Sequence, residues 1–194
     1  MNLNKFKKIT RLFMPRFATY IVFSTTAGRI AETARQYSLS SEYEAVYVTP
    51  ELRPNIERSR PDYWKMANQY LSAGHKGFCI CQGSDIAGMA WLYYNNARTM
   101  KRVTYYPLEP NHVWFHADWV NPTFRNRGLH KSLVYYRALY VQSLLGDVIV
   151  EANIDPRNTV SSRNYEILGF CREGKLRVLR LGGQDYCWYG RFSH

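Results

Sequence analysis

With 194 residues, 46% of them apolar and 15% aromatic, the chain is long enough for one folded core and too apolar for a disordered segment. Its 26 Lys and Arg against 15 Asp and Glu give a formal charge of +11, which predicts attraction to anions: nucleic acid, a lipid surface or a phosphorylated ligand. No stretch approaches the ~20 consecutive apolar residues of a membrane helix. Cys79, Cys81, Cys171 and Cys187 include no Cys-x-x-Cys pair, so they read as buried thiols of a reducing cytoplasm, with no metal site or disulfide.

Residues 1–16 are basic, with Lys5, Lys7, Lys8, Arg11 and Arg16 and a helical spacing of Phe6, Ile9, Leu12 and Phe13 from Lys5 to Met14. Pro15 and Arg16 interrupt the apolar run, so export is discounted; the segment is a surface helix or a weak membrane-surface contact. Phe17 to Thr25 is β-branched and aromatic and predicts a strand, and residues 26–41 predict a linker with at most a short helix. A strand follows over Glu44–Thr49, closed by Pro50 and Pro54. Pro61 then opens a helix that stops near Gly74.

Phe78–Cys81 and Ile86–Tyr94 predict a hairpin around Gln82-Gly83-Ser84-Asp85, followed by a loop over residues 95–111. Trp91, Tyr93, Tyr94, Tyr105, Tyr106 and Trp114 in and around that loop suit core packing or a stacking wall for a sugar or nucleotide. Val113–Val120 predicts a strand whose period of two places Val113, Phe115, Ala117 and Trp119 on one face and Trp114, His116, Asp118 and Val120 on the other. A helix from about Gly128 to Leu145 carries Leu129, Leu133, Tyr136, Tyr140 and Leu144 on one stripe and ends at Gly146. Val148–Ala152 reads as a buried strand of the parallel kind. Asn158 caps a helix that Gly169 ends, and two closing strands meet at Gly182-Gly183. The order predicts an α+β (mixed α/β) domain with a mostly antiparallel sheet flanked by helices.

The segment from His116 to Lys131 is the candidate ligand site. A strand, the Asn121-Pro122 turn and Arg125-Asn126-Arg127-Gly128-Leu129-His130 run straight into a helix. The first-turn N–H groups of a helix have no intrahelical partner and sit at the positive end of its dipole, so two arginines and a glycine there suit a phosphate. Gly128 keeps a Cβ out of the way.

Two segments together resemble the GNAT superfamily of acyl-CoA-dependent N-acyltransferases. Val120 to His130 is similar to that family's strand followed by the pyrophosphate loop [QR]-x-x-G-x-[GA], and Asn158 to Phe170 is similar to its later signature of Asn, a small residue three on, then Tyr and Gly-Phe. His130 departs from the pattern, standing where the family usually has Gly or Ala. The resemblance implies a GNAT-like domain over residues 44–194, preceded by a basic segment, 1–43, with an added strand and linker. It implies acetyl-CoA as acyl donor, with the diphosphate on Arg125, Asn126, Arg127, Gly128, Leu129 and His130. Pantetheine would run along the strand near Trp119 and Val120, with Asn158 and Ser161 opposite, and the oxyanion would fall to backbone N–H groups near Trp119 and Val120.

Transfer from a thioester to an amine needs a neutral nucleophile, a stabilised oxyanion and a proton for the leaving thiolate. Tyr165 stands where the family's usual general acid does, and Asp118 and His116, about 7 Å apart on one strand face, are the candidate bases. The expected reaction is acetylation of a primary amine on a small-molecule or glycan acceptor, with no metal. Competing classes are a non-catalytic protein of this fold binding nucleic acid or anionic lipid, and an acyltransferase fed by an acyl-carrier protein. Against nucleic acid, the basic residues are dispersed rather than gathered in one run.

Overall fold

A computed structural model describes residues 16–94, 108–109, 111–181 and 184–192. Eight strands form one sheet in the order β2-β3-β4-β5-β6-β1-β7-β8. They are β1 (Arg16–Thr26), β2 (Glu44–Tyr47), β3 (Lys76–Gln82), β4 (Asp85–Tyr94), β5 (His112–Val120), β6 (Ile149–Ile154), β7 (Cys171–Leu181) and β8 (Gln184–Arg191). Only β5 and β6 run parallel; the other neighbours are antiparallel. The helices are α1 (Ala27–Thr33), α2 (Arg53–Ser59), α3 (Tyr63–Ser72), α4 (Leu129–Leu145) and α5 (Thr159–Ile167).

Two apolar layers make a three-layer α/β/α stack. On one face Phe23, Ile30, Phe115, Leu133, Val134 and Val141 bring α1, α4 and α5 onto the sheet, and on the other Ile56, Tyr63, Ala67, Met89 and Trp91 bring α2 and α3 onto it. Each Val, Leu, Ile, Phe or Met among them, fully buried, contributes about 1.5–3 kcal/mol. The expected fold class holds, including the hairpin, whose two central residues Gly83 and Ser84 join β3 to β4, with Gly83 at φ +57°.

The structure departs from expectation in four places. First, β1 is an interior strand wedged between β6 and β7, and the supposed linker after it forms α1, which Thr26 caps by accepting from the Arg29 N–H, and a short 3-10 turn over Arg35–Tyr37. Second, Pro54 does not merely end a strand: it stands in the first turn of α2, where a missing N–H costs nothing.

Third, α4 turns a different stripe inward. Leu129, Ser132, Leu133, Val134, Arg137, Ala138 and Val141 are buried, while Leu144 is half exposed. Fourth, Cys79 and Cys81 are buried but Cys171 is exposed.

Trp91 and Tyr93 belong to β4 and are fully buried, so they are core and form no stacking wall. Tyr105 and Tyr106, the Gly182-Gly183 turn and the expected helix over residues 5–14 lie outside the described residues. Among the described residues no helix is long and apolar enough to cross a membrane.

Candidate active site

The site is where two parallel strands part. β5 pairs with β6 from His112↔Ile149 to Phe115↔Ala152, after which β5 continues on β4 to Val120 and β6 continues on β1 to Ile154. Between the diverging ends lies a cleft of about 450 Å³. Its walls are Asp118, Trp119 and Val120 of β5, the loop and first turn of α4, and Asn158, Val160, Ser161 and Asn164 of α5.

The loop before α4 takes its shape from two left-handed residues, Asn126 at φ +63° and Gly128 at φ +77°. A Cβ on Gly128 would meet nothing closer than Tyr37 at 4.0 Å, so glycine is required there by the backbone angle and not by crowding. Gly128 precedes α4 with no side-chain cap, and because the Lys131 N–H is already on the Gly128 carbonyl at 2.9 Å, the Leu129 and His130 amides are those that a ligand can take.

Of the residues expected around the donor, Trp119, Val120, Arg125, Asn126, Gly128, Leu129, His130, Asn158 and Ser161 all line the cleft. Arg127 does not: it donates to the Tyr43 hydroxyl at 2.9 Å and lies over Phe124, bracing the loop from behind. Lys131, which lines the cleft, donates to the Tyr37 hydroxyl, and the Tyr37 carbonyl accepts from Ser132 Oγ at 2.7 Å. Tyr37 and Tyr43, in the stretch read as linker, thus help to position the loop. Asn158 Oδ1 caps α5 by accepting from the Ser161 N–H at 3.1 Å, which leaves its amide nitrogen as the donor end.

The catalytic candidates separate. Ala117 sits at φ +54°, and the β4–β5 register shifts from Trp91↔His116 to Met89↔Trp119, a β-bulge that absorbs one extra residue. The strict alternation expected for this strand fails there, and His116 and Asp118 do not share a face. Asp118 joins α4 and α5; His116 points to the α3 side, where its Nε2 is 2.7 Å from His75 Nδ1 and its ring stacks on Trp114. Burial, then the neighbouring His75 and Arg137, push the His116 imidazole well below its ordinary range.

Asp118 is the hub on the cleft side. Arg137, fully buried on α4, holds it in a fork, Nη1 to Oδ1 and Nη2 to Oδ2 at 2.8 Å each, while also donating to the Trp91 carbonyl. The Tyr165 hydroxyl donates to Oδ2 at 2.8 Å, and His130 Nε2 lies 3.2 Å from the same oxygen. Burial raises the acidity range of Asp118, but the Arg137 charge and the hydrogen bonds outweigh it and hold the carboxyl well below the usual carboxylate range. Tyr165 goes the other way: burial first, then the Asp118 charge, push its hydroxyl well above the ordinary phenol range. Its side chain is not on the cleft wall.

Arg137 carried no recognisable signal, because an Arg at the centre of a helix reads as solvent-facing until its partner is known. His130 was legible as a departure from the loop pattern, but not as a neighbour of Asp118. Among the described residues no cluster of three or more His, Cys, Asp or Glu is arranged to hold a metal.

Residues 36–170 match the model of the Acetyltransferase (GNAT) family. No curated protein sequence matches the chain. Among solved structures, a functionally unknown conserved protein from Staphylococcus epidermidis aligns with TM-score 0.61 at 13% identity, covering 93% of this chain and 68% of that one. A tandem GNAT protein from the clavulanic acid biosynthesis pathway aligns with TM-score 0.60 at 13% identity, and the 92% of this chain that matches spans 55% of its length. A GCN5-related N-acetyltransferase-like protein from Streptococcus suis gives TM-score 0.55 at 13% identity over 92% of this chain and 68% of that one. At such identity the likeness is one of fold, and it agrees with the sheet and cleft described above. The match over residues 36–170, which takes in the loop before α4, the parting strands and the Asn158 helix, makes this chain a member of the GNAT acetyltransferase family.

Proposed function

We propose that the protein transfers an acyl group, acetyl in the first instance, from a coenzyme A thioester to a primary amine of a small-molecule or glycan acceptor. The observation that carries this reading is the cleft between β5 and β6, which ends on the uncapped first turn of α4 behind a left-handed Gly128. The diphosphate is bound by the amides of residues 125–130, with Arg125 beside it and Arg127 as a brace rather than a contact. The pantetheine arm follows β5 at Trp119 and Val120, facing Asn158 and Ser161. Splayed backbone N–H groups at the end of β5 stabilise the oxyanion.

Asp118 belongs to the reacting end of the cleft, Tyr165 stands behind it off the wall, and His116 is left out of it by the bulge. With its hydroxyl committed to Asp118, Tyr165 fixes the carboxylate as one arm of a network whose other arm is Arg137. The protein is proposed to work in the cytoplasm, with any membrane-surface contact confined to the basic N-terminus.

The test is calorimetric titration with coenzyme A together with thiol release and product mass spectrometry over amino sugars, polyamines and peptides. Saturable binding and an acetylated amine are expected; neither binding nor thiol release with any amine would sink the reading. Tyr165→Phe should lower turnover by about tenfold or more while leaving coenzyme A affinity nearly intact. Equal loss of binding would make Tyr165 purely structural.

A further inference from the structure

We propose that His130, held by Asp118, is the proton carrier of the transfer, taking the proton from the attacking amine and giving it to the departing thiolate. The inference rests on the acyl-transfer reading above and assigns that site a residue which the loop pattern gives no chemical role. His130 stands in the first turn of α4 on the cleft wall, its side chain only 16% exposed. Its Nε2 lies 3.2 Å from Asp118 Oδ2, and its Nδ1 lies 3.5 Å from Asn164 Nδ2, a separation too long for a strong hydrogen bond. A carboxylate beside Nε2 favours the proton on that nitrogen, which makes Nδ1 the acceptor of the long bond from the Asn164 amide, a partner that the attacking amine displaces. The Tyr165 ring packs edge-on against the imidazole at 5.5 Å and limits its rotation.

Asp118 is suited to that task because it cannot move. Arg137 Nη2 and the Tyr165 hydroxyl both donate to Oδ2, and Arg137, whose Nη1 lies 2.8 Å from Oδ1, balances the charge. Tyr165 itself is a poor direct donor. It is 2% exposed and off the cleft wall, and ionising it would set a phenolate 2.8 Å from a carboxylate. Its raised acidity range also runs the wrong way for protonating a thiolate whose conjugate acid ionises near ~8.5.

In the step proposed, the amine lone pair forms the C–N bond as the carbonyl π pair moves onto oxygen, and the amine proton passes to His130 Nδ1. When the oxyanion collapses, the C–S bond breaks with its pair on sulfur. The Nδ1 proton goes to that sulfur, leaving neutral His130, a free thiol and an amide. Asp118 of β5 and Tyr165 of α5 face the imidazole, and Arg137 of α4 stands behind Asp118.

The experiment compares His130→Ala and His130→Gln with the parent, using acetyl-CoA and the best acceptor of the amine panel. Turnover should fall about 100-fold or more, coenzyme A affinity should stay within about threefold, and added imidazole should partly rescue His130→Ala. Turnover within about threefold of the parent in either variant, with coenzyme A still bound, overturns the proposal. Parallel loss of turnover and coenzyme A affinity also overturns it, making His130 part of the phosphate cradle alone.

A second readout needs no acceptor and no variant. Two-bond proton–nitrogen correlation spectra of the parent at mildly alkaline pH should show His130 protonated on Nε2; a proton on Nδ1 overturns the proposal. A parent protein that binds no coenzyme A removes the acyl-transfer reading and this role with it. A parent that binds it and reacts, with His130 variants unaffected, removes the role alone.

Discussion

Two buried polar clusters hang from β5 one residue apart, and they solve the same problem in opposite ways. On the α4 side Asp118 keeps its charge because Arg137 meets it with a complete fork. On the α3 side His116 and His75 meet each other and aromatic rings, with no hydrogen-bonded carboxylate among the described residues, so burial pushes both imidazoles toward the neutral form, His75 to about 4. A desolvated charge survives where an opposite charge with matching geometry faces it, and is given up where none does. The charged cluster opens onto the cleft through Asp118 and His130; the neutral one is sealed among Tyr70, Tyr93 and Trp114. The divider is Ala117, whose left-handed backbone sends the next side chain to the other face.

The comparison breaks most severely at Arg137. Arg137→Met should cost about 3–5 kcal/mol in denaturant unfolding, because Asp118 is left charged and buried and the Trp91 carbonyl loses a donor. Replacing Asp118 by Leu in the same chain should recover most of that loss. If the double variant is as unstable as the single one, the fork is not what matters.

Acid should break the other side first. The folded His75 value of about 4 lies below the ordinary 6.5, so the unfolded chain binds the proton more readily. That contribution is complete above the ordinary imidazole range and is lost as pH falls from 6.5 toward 4, by up to about 1.4 kcal/mol per pH unit for each imidazole. Asp118, with its folded value depressed, keeps its contribution through that window and loses it only at more acid pH. Unfolding free energies of the parent should therefore drop across the window more steeply than those of a His75→Gln/His116→Gln variant. Equal slopes would place the acid sensitivity elsewhere.

The smallest effect is at the divider. Ala117→Gly relieves a left-handed alanine and adds chain entropy, two terms of about 1 kcal/mol that nearly cancel. Ala117→Val should instead lose about 1–2 kcal/mol, because a β-branched residue resists that backbone angle. Equal stability of the two variants would mean that the strand can drop its bulge.

The cleft was legible to the extent that it is local. Gly128 before a helix, Asn158 as a cap and Gly169 at φ +85° as a stop are each specified within a few residues, and all appear where the pattern placed them. The bulge was not legible, since alternation assumes an unbroken pleat and nothing in Ala117 announces a positive φ. Arg137 was not legible either: apolar period alone chose a stripe through Tyr136, Tyr140 and Leu144, while the packed helix turns Arg137 and Val141 inward. Residues 26–41 looked like a linker because part of their structure is made by contacts with α4 more than 90 residues away, those of Tyr37 with Lys131 and Ser132.

The amino-acid sequence by itself determined the strands, the helices α3, α4 and α5 and the family, because these rest on spacing, caps and turn residues that act over short range. Only the tertiary structure decided that β1 lies inside the sheet, that Asp118 and His116 face opposite ways and that Arg137, Tyr165 and His130 converge on one carboxylate. Those are meetings between elements distant in sequence, and a buried charge reveals its purpose only beside the partner that keeps it charged.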